Sequence, residues 1–147
     1  MTKYQLQKLI YSKKSVLCVG LDTDLNKIPV TLVSSYSTKA IEIFNKKVID
    51  ATLPYTIAYK INLAFYEIYG AAGYEMLANT LEYIKSLNEP VFLIADGKRN
   101  DIGNTAEKYA KAYLSKPLDF DAITINPLMG RDTIEPFLQF DDKWIIP

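Results

Sequence analysis

Short apolar runs, each closed by a polar residue, set the rhythm of this chain. Val16-Leu17-Cys18-Val19-Gly20-Leu21 ends at Asp22, and Thr56-Ile57-Ala58-Tyr59 leads to Lys60 and Asn62. Val91-Phe92-Leu93-Ile94-Ala95 ends at Asp96, Ala122-Ile123-Thr124-Ile125 ends at Asn126, and Trp144-Ile145-Ile146 opens a fifth run. Such runs read as strands buried on both faces. Between them the apolar spacing turns helical. Ile41, Phe44, Val48 and Ile49 mark one helix, Met76, Leu77, Leu81, Ile84 and Leu87 a second, and Ala106, Tyr109, Ala110 and Tyr113 a third. A short amphipathic helix over Thr2–Lys13, with Leu6, Leu9 and Ile10 on one side, precedes them all.

The strand ends Asp22, Lys60, Asp96 and Asn126 stand 38, 36 and 30 residues apart. That is the interval of βα units, whose right-handed crossovers lay successive strands side by side in parallel. Two architectures use such units: a doubly wound open sheet and a TIM barrel. In a barrel the polar groups at the strands' carboxyl ends converge on one mouth, and all four strand ends here are polar. The expected fold is therefore α/β, a TIM (β/α)8 barrel. A full barrel needs eight units and about 250 residues. The 147 residues supply the first four units and the start of strand five, so residues 1–147 are expected to form a single, incomplete domain.

Composition narrows the function. Hydrophobic residues make up 49% of the chain, enough for a real core, and its net charge of zero gives no footing for nucleic acid. There is no histidine, which removes the commonest general base and metal ligand. The single cysteine, Cys18, lies in an apolar run and is expected to be buried. It has no partner for an internal disulfide, which fits a reducing compartment. No apolar run is long enough to span a membrane, and the first residues lack a signal-peptide core. The expectation is a soluble, cytoplasmic protein that binds no membrane.

The densest chemistry follows the third run, in Asp96-Gly97-Lys98-Arg99-Asn100-Asp101-Ile102. Residues two apart on a strand face the same way, so Asp96 and Lys98 project together, and Asp101 follows after a turn. Buried charges are costly unless paired, so opposed charges concentrated at a strand end suggest a site rather than a scaffold. Each also has a structural reading. Asp96 and Lys98 could be an ion pair, and Asp101 could favour a helix N-terminus through the dipole. Asn104 with Glu107 could form a capping box. Asp22 could share a turn with Asp24. Three carboxylates, Asp22, Asp96 and Asp101, could call for magnesium, but the interleaved lysines compete for their charge. The series Tyr66, Tyr69 and Tyr74 reads as packing.

Three segments carry a resemblance: Cys18-Val19-Gly20-Leu21-Asp22-Thr23-Asp24, Ala58-Tyr59-Lys60-Ile61-Asn62-Leu63-Ala64-Phe65-Tyr66-Glu67, and Asp96-Gly97-Lys98-Arg99-Asn100-Asp101-Ile102-Gly103-Asn104-Thr105. With Asn126-Pro127-Leu128-Met129-Gly130 and Pro136-Phe137-Leu138, they resemble orotidine 5′-phosphate decarboxylase nearly end to end. The resemblance implies a homodimeric barrel of the ribulose-phosphate-binding type that converts orotidine monophosphate to uridine monophosphate in pyrimidine biosynthesis, with neither metal nor organic cofactor. It implies that Lys98 protonates C6 and that Asp96 lies against the substrate carboxylate. Lys60 is the second lysine of the array, and Asp22 a ligand of the ribose hydroxyls. Asp101 reaches into the partner subunit's site, and Thr105 follows it there. Asn62 and Asn126 line the site.

The chain departs from the pattern in places. Gly97 and Asn100 stand where this branch usually has Ala and Gly. Position 97 is expected to point away from the site, and Asn100 to tolerate unusual dihedrals in the turn. The family's phosphate site, built from backbone amides and an arginine after the last strands, has no counterpart here, and Arg131 is no substitute. Magnesium-dependent sugar-phosphate decarboxylases and hexulose-phosphate synthases share the barrel and the Asp-x-Lys-x-x-Asp pattern. They place a carboxylate on the second strand, where this chain has Lys60. A further alternative is a non-catalytic half-barrel acting through association.

Overall fold

The computed structural model describes residues 1–36 and 39–147. Five parallel strands form one sheet: β1 (Leu17–Gly20), β2 (Thr56–Asn62), β3 (Phe92–Arg99), β4 (Ala122–Ile125) and β5 (Trp144–Ile146). Their order in the sheet is β1-β2-β3-β4-β5. A doubly wound sheet reverses its order at a switch point. Here each strand adds beside its predecessor and the order never reverses, as in a barrel wall. β1 pairs with β2 alone and β5 with β4 alone, so the wall has two edges among the described residues.

Helices connect the strands: α1 (Lys3–Lys13), α2 (Val30–Tyr36), α3 (Ala40–Thr52), α4 (Ala64–Glu67), α5 (Ala71–Ser86) and α6 (Gly103–Leu114). The three helices expected from apolar spacing are α3, α5 and α6. Their buried residues include Ile41 and Ile49, Leu77, Leu81 and Ile84, and Ala106, Ala110 and Tyr113. These pack on the outward-facing positions Tyr59, Ile61, Leu93, Ala95, Ile123 and Ile125. Alternation along the strands then assigns the other positions to the inner face. α2 and α4 were not legible, being too short for a helical period to show. Between β4 and β5 the chain makes three single 3-10 turns, at Pro127–Met129, Arg131–Thr133 and Phe137–Gln139.

The inner face is graded from bottom to top. At the strands' amino ends Ala58, Phe92 and Ala122 are buried together with Leu9, while Leu6, Ile10 and Trp144 pack against them. Phe92 and Trp144 meet edge to face with centroids 5.7 Å apart. α1 closes this floor, and its entry is fixed by a capping box. The Gln5 N–H donates to Thr2 Oγ1 at 3.2 Å and the Thr2 N–H to Gln5 Oε1 at 2.7 Å. One level up, Lys60 pairs in register with Gly20 and Ile94, and above it Asn62 pairs with Asp96. Charge thus sits on an apolar base at the strands' carboxyl ends.

Cys18 is exposed, against expectation. Its strand is an edge strand, and Leu17 beside it is also exposed, so an apolar run here does not mean burial. The Asn104–Glu107 capping box does not form either. α6 begins two residues earlier than that box requires, with Ile102 at the N-cap and no side-chain cap bond, and Glu107 pairs with Lys111 instead.

The tightest backbone approach is at Gly73 in α5. A Cβ there would lie 1.7 Å from the Tyr66 carbonyl oxygen, so any larger residue drives α5 off α4. Gly73→Ala is expected to cost about 3 kcal/mol or more, because the obstruction is backbone and cannot rotate away. Chemical denaturation of a complete barrel carrying the change checks this.

Candidate active site

Four charged side chains form an unbroken alternating chain across the carboxyl ends of β1, β2 and β3. The Lys60 ammonium donates to Asp22 Oδ2 at 2.5 Å and lies 3.3 Å from Asp96 Oδ2. The Lys98 ammonium donates to Asp96 Oδ1 at 2.5 Å. The order is Asp22, Lys60, Asp96, Lys98. Asp22 Oδ1 also accepts the Asn62 N–H at 3.1 Å. The Asp96 side chain is 12% exposed and that of Lys98 68%, so the carboxylate is recessed and the ammonium is presented.

Local backbone explains the presentation. β3 loses register with β4 between Ala95 and Arg99, and Lys98 takes a left-handed φ of 47°. Thr124 of β4 stabilises this turn at two points. Its hydroxyl donates to Asp96 Oδ1 and accepts the Lys98 N–H, both at 3.0 Å. Sequence reasoning did not single out Thr124. Its signal was present, as a hydroxyl alternating with isoleucines one strand from Asp96. The left-handed residue is Lys98 and not Asn100. Both polar ends of the Asn100 amide are buried without a hydrogen-bond partner among the described residues.

Gly97 faces the helical side, as expected. A Cβ there would come 2.7 Å from Leu63 Cδ1, the end of a flexible side chain that can yield. Behind β3, Arg99 pairs with Glu67 and lies over the rings of Tyr109 and Tyr113 at 5.4 and 5.6 Å. That cluster holds α4 and α6 to the sheet.

Electrostatics follow from the contacts. Burial works against the charge of Lys60, yet its bonds to Asp22 and Asp96 outweigh that and hold its pKa above lysine's usual value. Burial likewise pushes the Asp96 carboxyl upward, but Lys98, Thr124 and Lys60 together bring it below the usual carboxylate range. A depressed carboxylate contributes stability that is present above its unfolded pKa and lost as pH falls through the folded one. Asp96→Asn is therefore expected to lower the melting temperature at neutral pH. The gap from wild type should close below about pH 4, where the wild-type carboxyl is itself becoming neutral. Thermal melts across that range check the sign.

The remaining expected residues divide. Asn126 lines, with Lys60, Asp96, Lys98 and Thr124, a cavity of about 400 Å³ at the mouth. Its side-chain oxygen Oδ1 also accepts the Leu128 N–H at 3.0 Å, which caps the next turn. The Asn62 side chain accepts the Ala64 N–H at 3.1 Å and so starts α4. Asp101 is not joined to the array, and its carboxylate accepts the neighbouring Ile102 N–H at 2.7 Å. Thr105 donates to Asn104 at 3.4 Å and does not join the array. Within this chain the alternating order is Asp22, Lys60, Asp96 and Lys98. Tyr66 is buried and serves packing and hydrogen bonding in the core.

Residues 15–144 match the model of the orotidine 5′-phosphate decarboxylase / HUMPS family. The chain belongs to that family. Among curated members, the orotidine 5′-phosphate decarboxylase of Phocaeicola vulgatus is 50% identical over 146 residues, covering 99% of this chain and 53% of that protein. That of Christiangramia forsetii is 49% identical with the same coverage. This chain therefore spans about half the length of these curated relatives. The fold agrees with solved members. The OMP decarboxylase of Leishmania donovani superposes with a TM-score of 0.76 at 33% identity, covering 95% of this chain and 51% of that one. The UMP synthase of the same organism gives 0.79 at 34% identity, covering 99% and 29%. The five-stranded wall is a partial barrel of the family, and no helix among the described residues is long and apolar enough to cross a membrane.

Proposed function

We propose that this chain carries the chemical half of an orotidine 5′-phosphate decarboxylase site, acting in the cytoplasm on a nucleotide and without metal or organic cofactor. The observation that carries the reading is the chain of contacts Asp22–Lys60–Asp96–Lys98. Loss of carbon dioxide from C6 leaves a carbanion with little resonance relief, so fixed charge is the natural source of rate. Lys98 supplies that charge beside C6 and then the proton. Asp96, held ionised by its partners, faces the substrate carboxylate. Two carboxylates about 3 Å apart repel by about 5 kcal/mol at an effective dielectric of about 20, and departure of neutral carbon dioxide relieves this. The flanking ammonium groups offset part of it.

Lys60 separates this reading from the magnesium-using relatives. Its ammonium lies between Asp22 and Asp96, the place a divalent ion would need to share those carboxylates. The test is carbon dioxide release from orotidine monophosphate by a complete barrel carrying these residues, assayed with and without a magnesium chelator. Undiminished release under chelation supports the reading, and strict dependence on magnesium refutes it.

The site is also proposed to be shared in a homodimer, with Asp96 and Lys98 from one subunit and Asp101, followed by Thr105, from the other. What supports this is that Asp101 makes no bond to its own array among the described residues, its carboxylate accepting the Ile102 N–H. Mixing inactive Lys98→Ala and Asp101→Ala subunits should restore activity, because a heterodimer then holds one site free of both changes. Heterodimers that form and stay inactive would place the whole site in one subunit.

A further inference from the structure

Leu21, Asp22 and Thr23 leave β1 with every residue held by a separate partner. The Leu21 N–H donates to the Lys60 carbonyl at 2.9 Å, and the Leu21 carbonyl accepts from the Tyr66 hydroxyl at 3.0 Å. The Asp22 carboxylate takes the Lys60 ammonium and the Asn62 N–H. The Thr23 hydroxyl donates to Asn45 Oδ1 at 2.6 Å. The outer two holds are tied together. Asn45 Nδ2 donates to the Tyr66 hydroxyl at 2.9 Å and to Thr80 Oγ1 at 3.2 Å, and Thr80 donates to the Met76 carbonyl at 2.8 Å.

This network lies inside the apolar core. Asn45 is 0% exposed, Thr80 1%, Tyr66 2% and Thr23 7%. A buried amide is costly unless satisfied, and here both ends of Asn45 are used. Aliphatic residues could fill the same space between α3, α4 and α5 with less risk. What they could not do is fix the backbone on both sides of Asp22. Tyr66 holds the residue before it, and Asn45, through Thr23, the residue after it.

We propose that Thr23 and Asn45 are positioning residues of the site. They lock the turn after β1 so that Asp22 meets Lys60 on one side and the sugar hydroxyls of the substrate on the other at a fixed distance. The substrate half of this statement rests on the proposed function, and the Asp22–Lys60 half does not. An error of about 1 Å in a group that orients substrate can cost about 100-fold in rate, so a rigid anchor beneath Asp22 has a clear use.

Thr23→Val keeps the shape and removes the hydroxyl, and Thr23→Ser restores it. In a complete barrel, Thr23→Val is expected to lower kcat/KM for orotidine monophosphate about tenfold, chiefly through KM, the size of one lost buried hydrogen bond. Thr23→Ser should recover it to within about twofold of wild type, since the bond is remade. In an Asp22→Ala background the same Thr23→Val change should have no further effect, because the residue it positions is gone. A merely structural role would give an equal loss in both backgrounds and would overturn the proposal.

A second readout needs no activity. Titration of carbon-13-labelled lysine by NMR should show the Lys60 pKa, raised in wild type, moving down toward lysine's usual value in Thr23→Val but not in Thr23→Ser. An unchanged Lys60 in Thr23→Val overturns the proposal. Failure of the wild-type barrel to decarboxylate orotidine monophosphate would remove the proposed function and leave this titration to decide the positioning role. Should Thr23→Val fail to fold, Tyr66→Phe releases the other side of the turn and is read by the same two measurements.

Discussion

Lys98→Ala in a complete barrel is expected to lower turnover of orotidine monophosphate by several orders of magnitude while leaving nucleotide binding measurable. Loss of a positioned general acid alone costs about 100- to 10,000-fold. On the proposed function the same ammonium also stabilises the carbanion before it gives up its proton, so the two losses fall on one substitution. Lys98 is the exposed end of the array, and its removal leaves Asp22, Lys60 and Asp96 in contact with one another. The effect should therefore fall on kcat more than on KM. Single-turnover kinetics beside equilibrium binding of the nucleotide product make the test. Near-wild-type turnover would remove Lys98 from the chemistry.

The second large effect concerns residues 1–147 by themselves. Expressed alone, they are expected to show negligible turnover and to associate or precipitate. β1 and β5 each present an unpaired edge, the usual template for intermolecular pairing. Val16, Leu17, Ile102, Leu128 and Met129 are exposed. The resemblance implies a phosphate grip after the later strands; binding energy of that kind is used at the reacting centre, so its loss is expected to lower turnover as well as affinity. Supplying the carboxyl-terminal half of a related barrel should restore both solubility and activity. Turnover and oligomeric mass measured on each form decide it, and strong activity from the isolated residues would refute the argument.

The sequence exposed those features whose physics is local. Five strands and the helices α1, α3, α5 and α6 could be read because burial on one or both faces imposes a period. That Asp22, Lys60 and Asp96 meet at one mouth was legible because strand ends in a barrel converge, whereas the direct pairing of Asp22 with Lys60 was not. α2 and α4 escaped because they run for less than the window in which a helical period can be seen. Thr124 escaped for a different reason. Its value lies in bonding to Asp96 and to the Lys98 backbone across a strand pair, and no spacing within one segment encodes that. Cys18 was misread because an apolar run predicts a buried strand only if something covers it. The Asn104–Glu107 pattern was misread because the helix start is set by where the chain leaves the β3 turn, one residue before Asn104.

The alternation of charge in the array has a kinetic consequence. Asp22, Lys60, Asp96 and Lys98 sum to zero, and each sign lies against its opposite, so their combined field falls off with distance faster than that of a single charge. At physiological ionic strength the Debye length is about 8 Å, which erases what remains. On the proposed function, a multiply charged nucleotide approaching from solution is thus neither drawn nor repelled by these four groups. Its rate of capture, and the sensitivity of that rate to salt, belong to charges elsewhere in the barrel, so the speed of encounter and the power of the chemistry can be altered independently of one another.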